Sequence, residues 1–143
     1  FIMKVLVYTF RTFPHIQELK EIFPEVFVLG KLKEDLLIFL SKVKKLEPDL
    51  ILGIAHNEKK SQFEPIAVNR FNNKQVIREG KEQFELFVPN SRNFNISQKP
   101  STSFCNYSMY WIKYHLNQEK IIIPFSFIHI NKKEILRISA NFR

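Results

Sequence analysis

The first 55 residues alternate between strand-like and helix-like patterns, and this alternation constrains the fold more than any other feature of the sequence. Residues 3–10 (MKVLVYTF) form a β-branched and aromatic run of strand length. Pro14 opens a short helical pattern with Ile16, Leu19 and Phe23 along one face, and Pro24 stops it. Residues 25–29 read as a second strand, closed by Gly30. Leu32, Leu36, Phe39, Leu40, Val43 and Leu46 then recur at helical spacing with lysines on the other side, until Pro48. Residues 49–55 (DLILGIA) are a continuous apolar run, the pattern of a strand covered on both faces. Strand, helix, strand, helix, strand predicts an α/β fold: a mainly parallel twisted sheet with helices on both faces.

The middle of the chain breaks this rhythm. Residues 62–71 and 75–88 read as two strands of a small antiparallel excursion, with Asn72-Asn73 as the turn. Residues 89–102 (PNSRNFNISQKPST) read as a loop. Helical spacing resumes with Cys105, Met109, Ile112 and Leu116, and residues 121–130 (IIIPFSFIHI) form a last strand. Pro124 inside that run predicts an edge position or a bulge. Residues 132–138 begin a further helix. No repeat, linker or low-complexity tract divides the 143 residues, so they are expected to form one domain, 1–143.

Composition removes several function classes. Three glycines leave little room for a glycine-rich phosphate loop, and one cysteine excludes a disulfide framework or a multi-cysteine zinc site. The net charge of +8 is spread as isolated pairs (Lys44-Lys45, Lys59-Lys60, Lys132-Lys133), which reads as a solubilising surface and disfavours nucleic acid as the partner. No apolar run approaches the ~20 residues of a membrane span. The start Phe1-Ile2-Met3-Lys4, followed by a strand-like run and Arg11, lacks the order of a signal peptide, so a cytoplasmic location is expected. His15, His56 and His115 show no ligand spacing, and neither a metal nor another cofactor is expected. The 15 Phe, 4 Tyr and 1 Trp suggest that some aromatic surface is covered in a homo-oligomer.

The chemistry-bearing candidates are few. Ser101, Thr102 and Ser103 are all N-cap residue types, which puts Cys105 in the first turn of its helix. The partial positive charge there favours a thiolate. His129 follows 24 residues later at the end of the next strand. A helix of roughly 13 residues runs ~20 Å down the sheet and a strand of about 8 returns ~26 Å, bringing the histidine back beside the cysteine. A nucleophile–base pair is therefore geometrically natural. A small buried cysteine and an inert, hydrogen-bonded histidine fit the same spacing. Glu64 fits either a solvent-facing strand residue or an orienting partner for a histidine.

Four stretches together carry a resemblance. MKVLVYTFRTFP is similar to a strand followed by a G-F-E-P-F-G loop, with Phe10 and Phe13 on the two Phe positions. LEPDLILGIAHNEKKSQFEPIAVN follows a pattern of Pro-Asp, apolar strand, Gly and E-R-x-A-x-N, with Glu64 and Asn69 on its Glu and Asn. FCNYSMYW resembles the stretch around a nucleophilic cysteine, with Asn106 beside Cys105, and FIHI resembles the segment carrying a catalytic histidine, here His129. The family with these motifs in this order is the pyroglutamyl peptidases (pyrrolidone-carboxylate peptidases), cytosolic cysteine peptidases with a phosphorylase/hydrolase-like fold. The resemblance covers about two-thirds of the chain. It implies a Glu64, Cys105, His129 triad and a pyroglutamate pocket involving Phe10, Phe13, Asn69 and Asn106. The implied partner is a peptide with an N-terminal pyroglutamate.

Departures from the pattern open a second reading. The chain is shorter than the family before the nucleophile and at the C-terminus. Ser-x-x-Ala-Gly becomes Ser97-Gln98-Lys99-Pro100-Ser101, whose proline removes a backbone donor that could serve an oxyanion hole. In the loop after the first strand, Thr9 and Pro14 replace the glycines, and Arg11 and Thr12 replace Glu and Pro. Glu58 stands where an arginine usually precedes the glutamate motif. The alternative is thus an inactive relative acting as a peptide- or protein-binding module.

Overall fold

The apolar runs become the inner strands of one sheet. In the computed structural model, which describes residues 3–90 and 94–142, β1 (Val5–Phe10) and β3 (Leu50–His56) pair in parallel, and every residue of β1 is buried. β2 (Val26–Leu29) flanks β1, and β8 (Phe125–Ile130) flanks β3, both in parallel. β4 (Gln62–Phe63) runs antiparallel to β8, and β7 (Asn95–Ile96) completes the order β2-β1-β3-β8-β4-β7. The readings of Phe1, Ile2 and residues 91–93 lie outside the described residues.

Period-two alternation divides the core into two layers. Leu6, Tyr8, Phe10, Ile51, Phe125 and Phe127 face α2 (Leu32–Leu46) and α3 (Phe104–Gln118). Val7, Leu52, Ile54, Ile128 and Ile130 face the opposite way, onto Leu19 and Phe23 around α1 (Ile16–Ile22) and Ile135 and Ile138 of a 3-10 run (Lys132–Asn141). The sheet is therefore covered on both faces, as the apolar runs require. Gly53 lies under two rings: a Cβ there would clash with both Phe127 and Tyr8.

Four local expectations are corrected. β8 is an inner strand rather than an edge, because Pro124 stands just before it and contributes only its carbonyl, which accepts from Ile51 N at 2.9 Å. The excursion is much less regular than two long strands. Its ladder is confined to β5 (Ile66–Val68) and β6 (Gln83–Glu85). The Asn72-Asn73 turn forms, closed by a Phe71–Lys74 bridge, but residues 75–82 leave the ladder because the Asn69 amide takes over their backbone groups. The segment read as a loop at 89–102 contributes β7, and the C-terminal residues take 3-10 rather than α-helical turns, capped by the Asn131 side chain on Lys133 N.

Candidate active site

The carboxyl end of β8 carries the histidine. His129 follows Phe125 and Phe127 on the face toward α3, and its ring centroid lies 5.3 Å from that of Phe127. Across the sheet it is in register with Ala55 on β3 and Gln62 on β4. β4 ends one residue later, and Glu64 N donates to Phe127 O at 2.9 Å. This bond turns the Glu64 side chain to His129, with Oε2 3.1 Å from Nδ1. Glu64 is only 2% exposed, so its carboxylate is shielded from water and the ion pair or hydrogen bond is correspondingly strong. A carboxylate on Nδ1 selects the tautomer with the proton there and leaves Nε2 as the basic nitrogen.

Cys105 is the second residue of α3. Ser103 is the N-cap, as the run of hydroxyl residues predicts, and its Oγ accepts from Cys105 N at 3.3 Å. Ser101 Oγ in turn lies 2.7 Å from Ser103 Oγ and accepts from Ser103 N, so the cap is itself fixed. The expected thiolate does not follow. Cys105 is 5% exposed, and its thiol is pushed up to about 12, chiefly by burial. The Ser103 hydroxyl opposes this and the Glu64 charge adds to it. Desolvation therefore outweighs the helix terminus at this position.

The other candidates separate. Phe10 lies at the end of β1, 4.8 Å edge-to-face from Phe104, and the two rings line a cavity of about 160 Å³ with Arg11, Thr12, Leu29, Gly30 and Leu32. Phe13 is not brought to that side. It packs in the opposite layer, with His15 and His56 beside it, because the turn that returns Phe13 N to Phe10 O carries the chain over the sheet end. Phe104 was missed by sequence reasoning, and its only signal is its place before the cysteine.

The two asparagines are structural clamps rather than free contacts. Asn106 is fully buried, donates from Nδ2 to Val68 O and Arg70 O at 2.8 Å, and accepts from Val68 N at 2.9 Å. Asn69 donates to Ile77 O and Gly80 O and accepts from Ile77 N. Both amide N–H groups of each are thus already used within the chain, where they shape the excursion.

Among the described residues no helix is long and apolar enough to cross a membrane. No protein-family model and no curated protein sequence matches the chain. Solved structures do. The pyrrolidone carboxyl peptidase from Thermococcus litoralis superposes with a TM-score of 0.74 at 16% identity, over 91% of this chain and 77% of that one. A pyroglutamyl peptidase I structure from Bacillus amyloliquefaciens gives 0.77 at 17% identity, over 98% and 96% of the two chains. A mutant pyrrolidone carboxyl peptidase from Pyrococcus furiosus gives 0.73 at 19%, over 94% and 85%. The chain has the pyroglutamyl peptidase fold.

Proposed function

We propose that this chain, built on the pyroglutamyl peptidase fold, is a cysteine peptidase that removes an N-terminal pyroglutamyl residue from peptides. The observation that carries this reading is the buried Glu64–His129 contact, 3.1 Å long, on the sheet face that α3 covers with Cys105 in its first turn. A carboxylate buried against an imidazole, with a thiol on the same sheet face, is the arrangement a nucleophile–base–orienter mechanism needs.

The chemistry follows from the protonation states. At neutral pH the thiol is protonated, so His129 Nε2 acts as a general base on Sγ as it attacks the acyl carbon. Glu64 stabilises the imidazolium that forms. Collapse of the tetrahedral intermediate releases the amine with a proton from His129, leaving a thioester, and water activated by the same imidazole restores the thiol. N–H groups in the first turn of α3 face the developing oxyanion. Cys105 N is shared with Ser103 Oγ through a long bond, and Pro100 supplies no donor, so this stabilisation is weaker than in a site with free N–H groups. The apolar cavity between Phe10 and Phe104 receives the flat lactam ring. Soluble location in the cytoplasm and assembly of several copies accompany this reading.

A second reading, a peptide-binding relative without turnover, is favoured by the burial that pushes Cys105 up to about 12. The deciding experiment is release of a fluorescent amine from a pyroglutamyl amide under reducing conditions, with wild type beside Cys105→Ala. Activity lost in the variant supports the peptidase. A folded wild type that binds the substrate without release supports the binding module.

A further inference from the structure

We infer that Tyr8 and Ser108 form a buried hydroxyl relay that positions the nucleophile, an inference that rests on Cys105 serving as the nucleophile. Both residues are fully buried. Ser108 Oγ lies 2.7 Å from Tyr8 Oη and donates to Cys105 O at 2.7 Å. A serine hydroxyl has one proton, and here the Cys105 carbonyl takes it. Tyr8 must then be the donor to Ser108. The relay therefore has one direction: Tyr8 O–H to Ser108 Oγ, and Ser108 O–H to the carbonyl of Cys105.

Its position gives it a role beyond packing. Tyr8 projects from the middle of β1 toward α3, so the relay links the centre of the sheet to the helical turn that carries the thiol. The Tyr8 ring crosses Gly53, which has no side chain to displace it, and it is braced edge-on by Phe39 at 5.0 Å. Hydrogen bonds in series polarise one another, so the tyrosine strengthens the Ser108 bond to the Cys105 carbonyl. Both members are positioning residues: they act on the thiol through the helix backbone that holds it.

The test uses Tyr8→Phe, Ser108→Ala and the double variant of the full chain. Tyr8→Phe removes one oxygen and leaves the ring packing intact. Two readouts are taken: kcat and KM on a pyroglutamyl amide, and the rate of Cys105 alkylation by iodoacetamide at a pH below the thiol's titration. In Tyr8→Phe, kcat falls about tenfold with KM within about twofold, and alkylation slows about threefold, the range expected for losing one buried hydrogen bond. The two single effects are non-additive in the double variant, because each breaks the same relay. Wild-type kcat and alkylation in a Tyr8→Phe protein whose melting temperature alone has dropped would overturn the inference, as would additive effects. If the wild type releases no amine, the peptidase reading fails, while the alkylation rates still decide the relay.

Discussion

Glu64 is joined twice to the strand that carries His129. Its backbone N–H bonds to Phe127 O at 2.9 Å, and its carboxylate reaches His129 Nδ1 at 3.1 Å. Because side chains alternate along a strand, Phe127 and His129 share a face, and a residue anchored at the first is carried to the second. The short strand β4 therefore aims the carboxylate as well as adding to the sheet.

Replacing Glu64 separates these two bonds. Glu64→Gln keeps the backbone bond and the side-chain shape but removes the charge that stabilises an imidazolium. For an acid–base contribution of this kind, kcat on a pyroglutamyl amide is expected to fall by about 100-fold or more. The fold persists, which circular dichroism checks. A variant with unchanged kcat would show that the carboxylate does not support the base.

Phe10 and Phe13 are three residues apart but lie in different layers, so their truncations have different consequences. Phe10→Ala opens the cavity shared with Phe104 and is expected to raise KM for a pyroglutamyl amide several-fold. Phe13→Ala removes a ring buried against the α1 layer and destabilises the fold by about 3 kcal/mol, the usual cost of deleting a core phenyl group. KM stays near wild type. Urea titration and steady-state kinetics on both variants check the contrast.

What the sequence made legible follows from which interactions are local. The alternation of apolar strands and amphipathic helices through Ala55 identifies the parallel half of the fold, since periodicity reports directly which face is buried. Ser103 as a cap follows from the preference of hydroxyl residues for exposed helix N–H groups. The strand that carries His129 is legible as an apolar run, and it pairs in parallel with β3. Side-chain bonds to distant backbone were illegible. Asn69 and Asn106 carry no local mark of the carbonyls they bind, and without those bonds the excursion reads as two long strands. Pro124 misled because a proline excludes an inner strand only where an N–H is needed, and strand entry needs none. The thiol misled for a related reason: the helix terminus is visible in sequence, whereas the burial that outweighs it is tertiary.

Asn106 gives a third prediction. Its amide satisfies one N–H and two carbonyls of Val68 and Arg70, tying β5 to α3. Asn106→Ala leaves Val68 N and Arg70 O without their side-chain partner in a partly buried place, while Val68 O keeps the Arg70 N–H, and a loss of about 2 kcal/mol is expected. Asn106→Asp keeps the acceptor for Val68 N but sets a carboxylate against two carbonyl oxygens, so it is no milder. Chemical denaturation measures both. A loss of substrate affinity with full stability would instead place Asn106 in contact with the ligand.

The buried thiol makes stability pH-dependent at the alkaline end. Cys105 titrates near 9.0 when unfolded and is pushed up to about 12 in the folded chain. Between these values the unfolded chain has released a proton that the folded chain retains. Folding then binds the proton, and stability falls as pH rises through that window. Below 9.0 both states are protonated and the thiol contributes no slope. The buried Tyr8, also raised by desolvation, acts in the same direction at still higher pH. Cys105→Ala isolates the thiol: its melting temperature should decline less steeply than that of wild type as pH rises above 9.0. Parallel curves for the two proteins would mean that the thiol ionises in the folded chain as easily as in water.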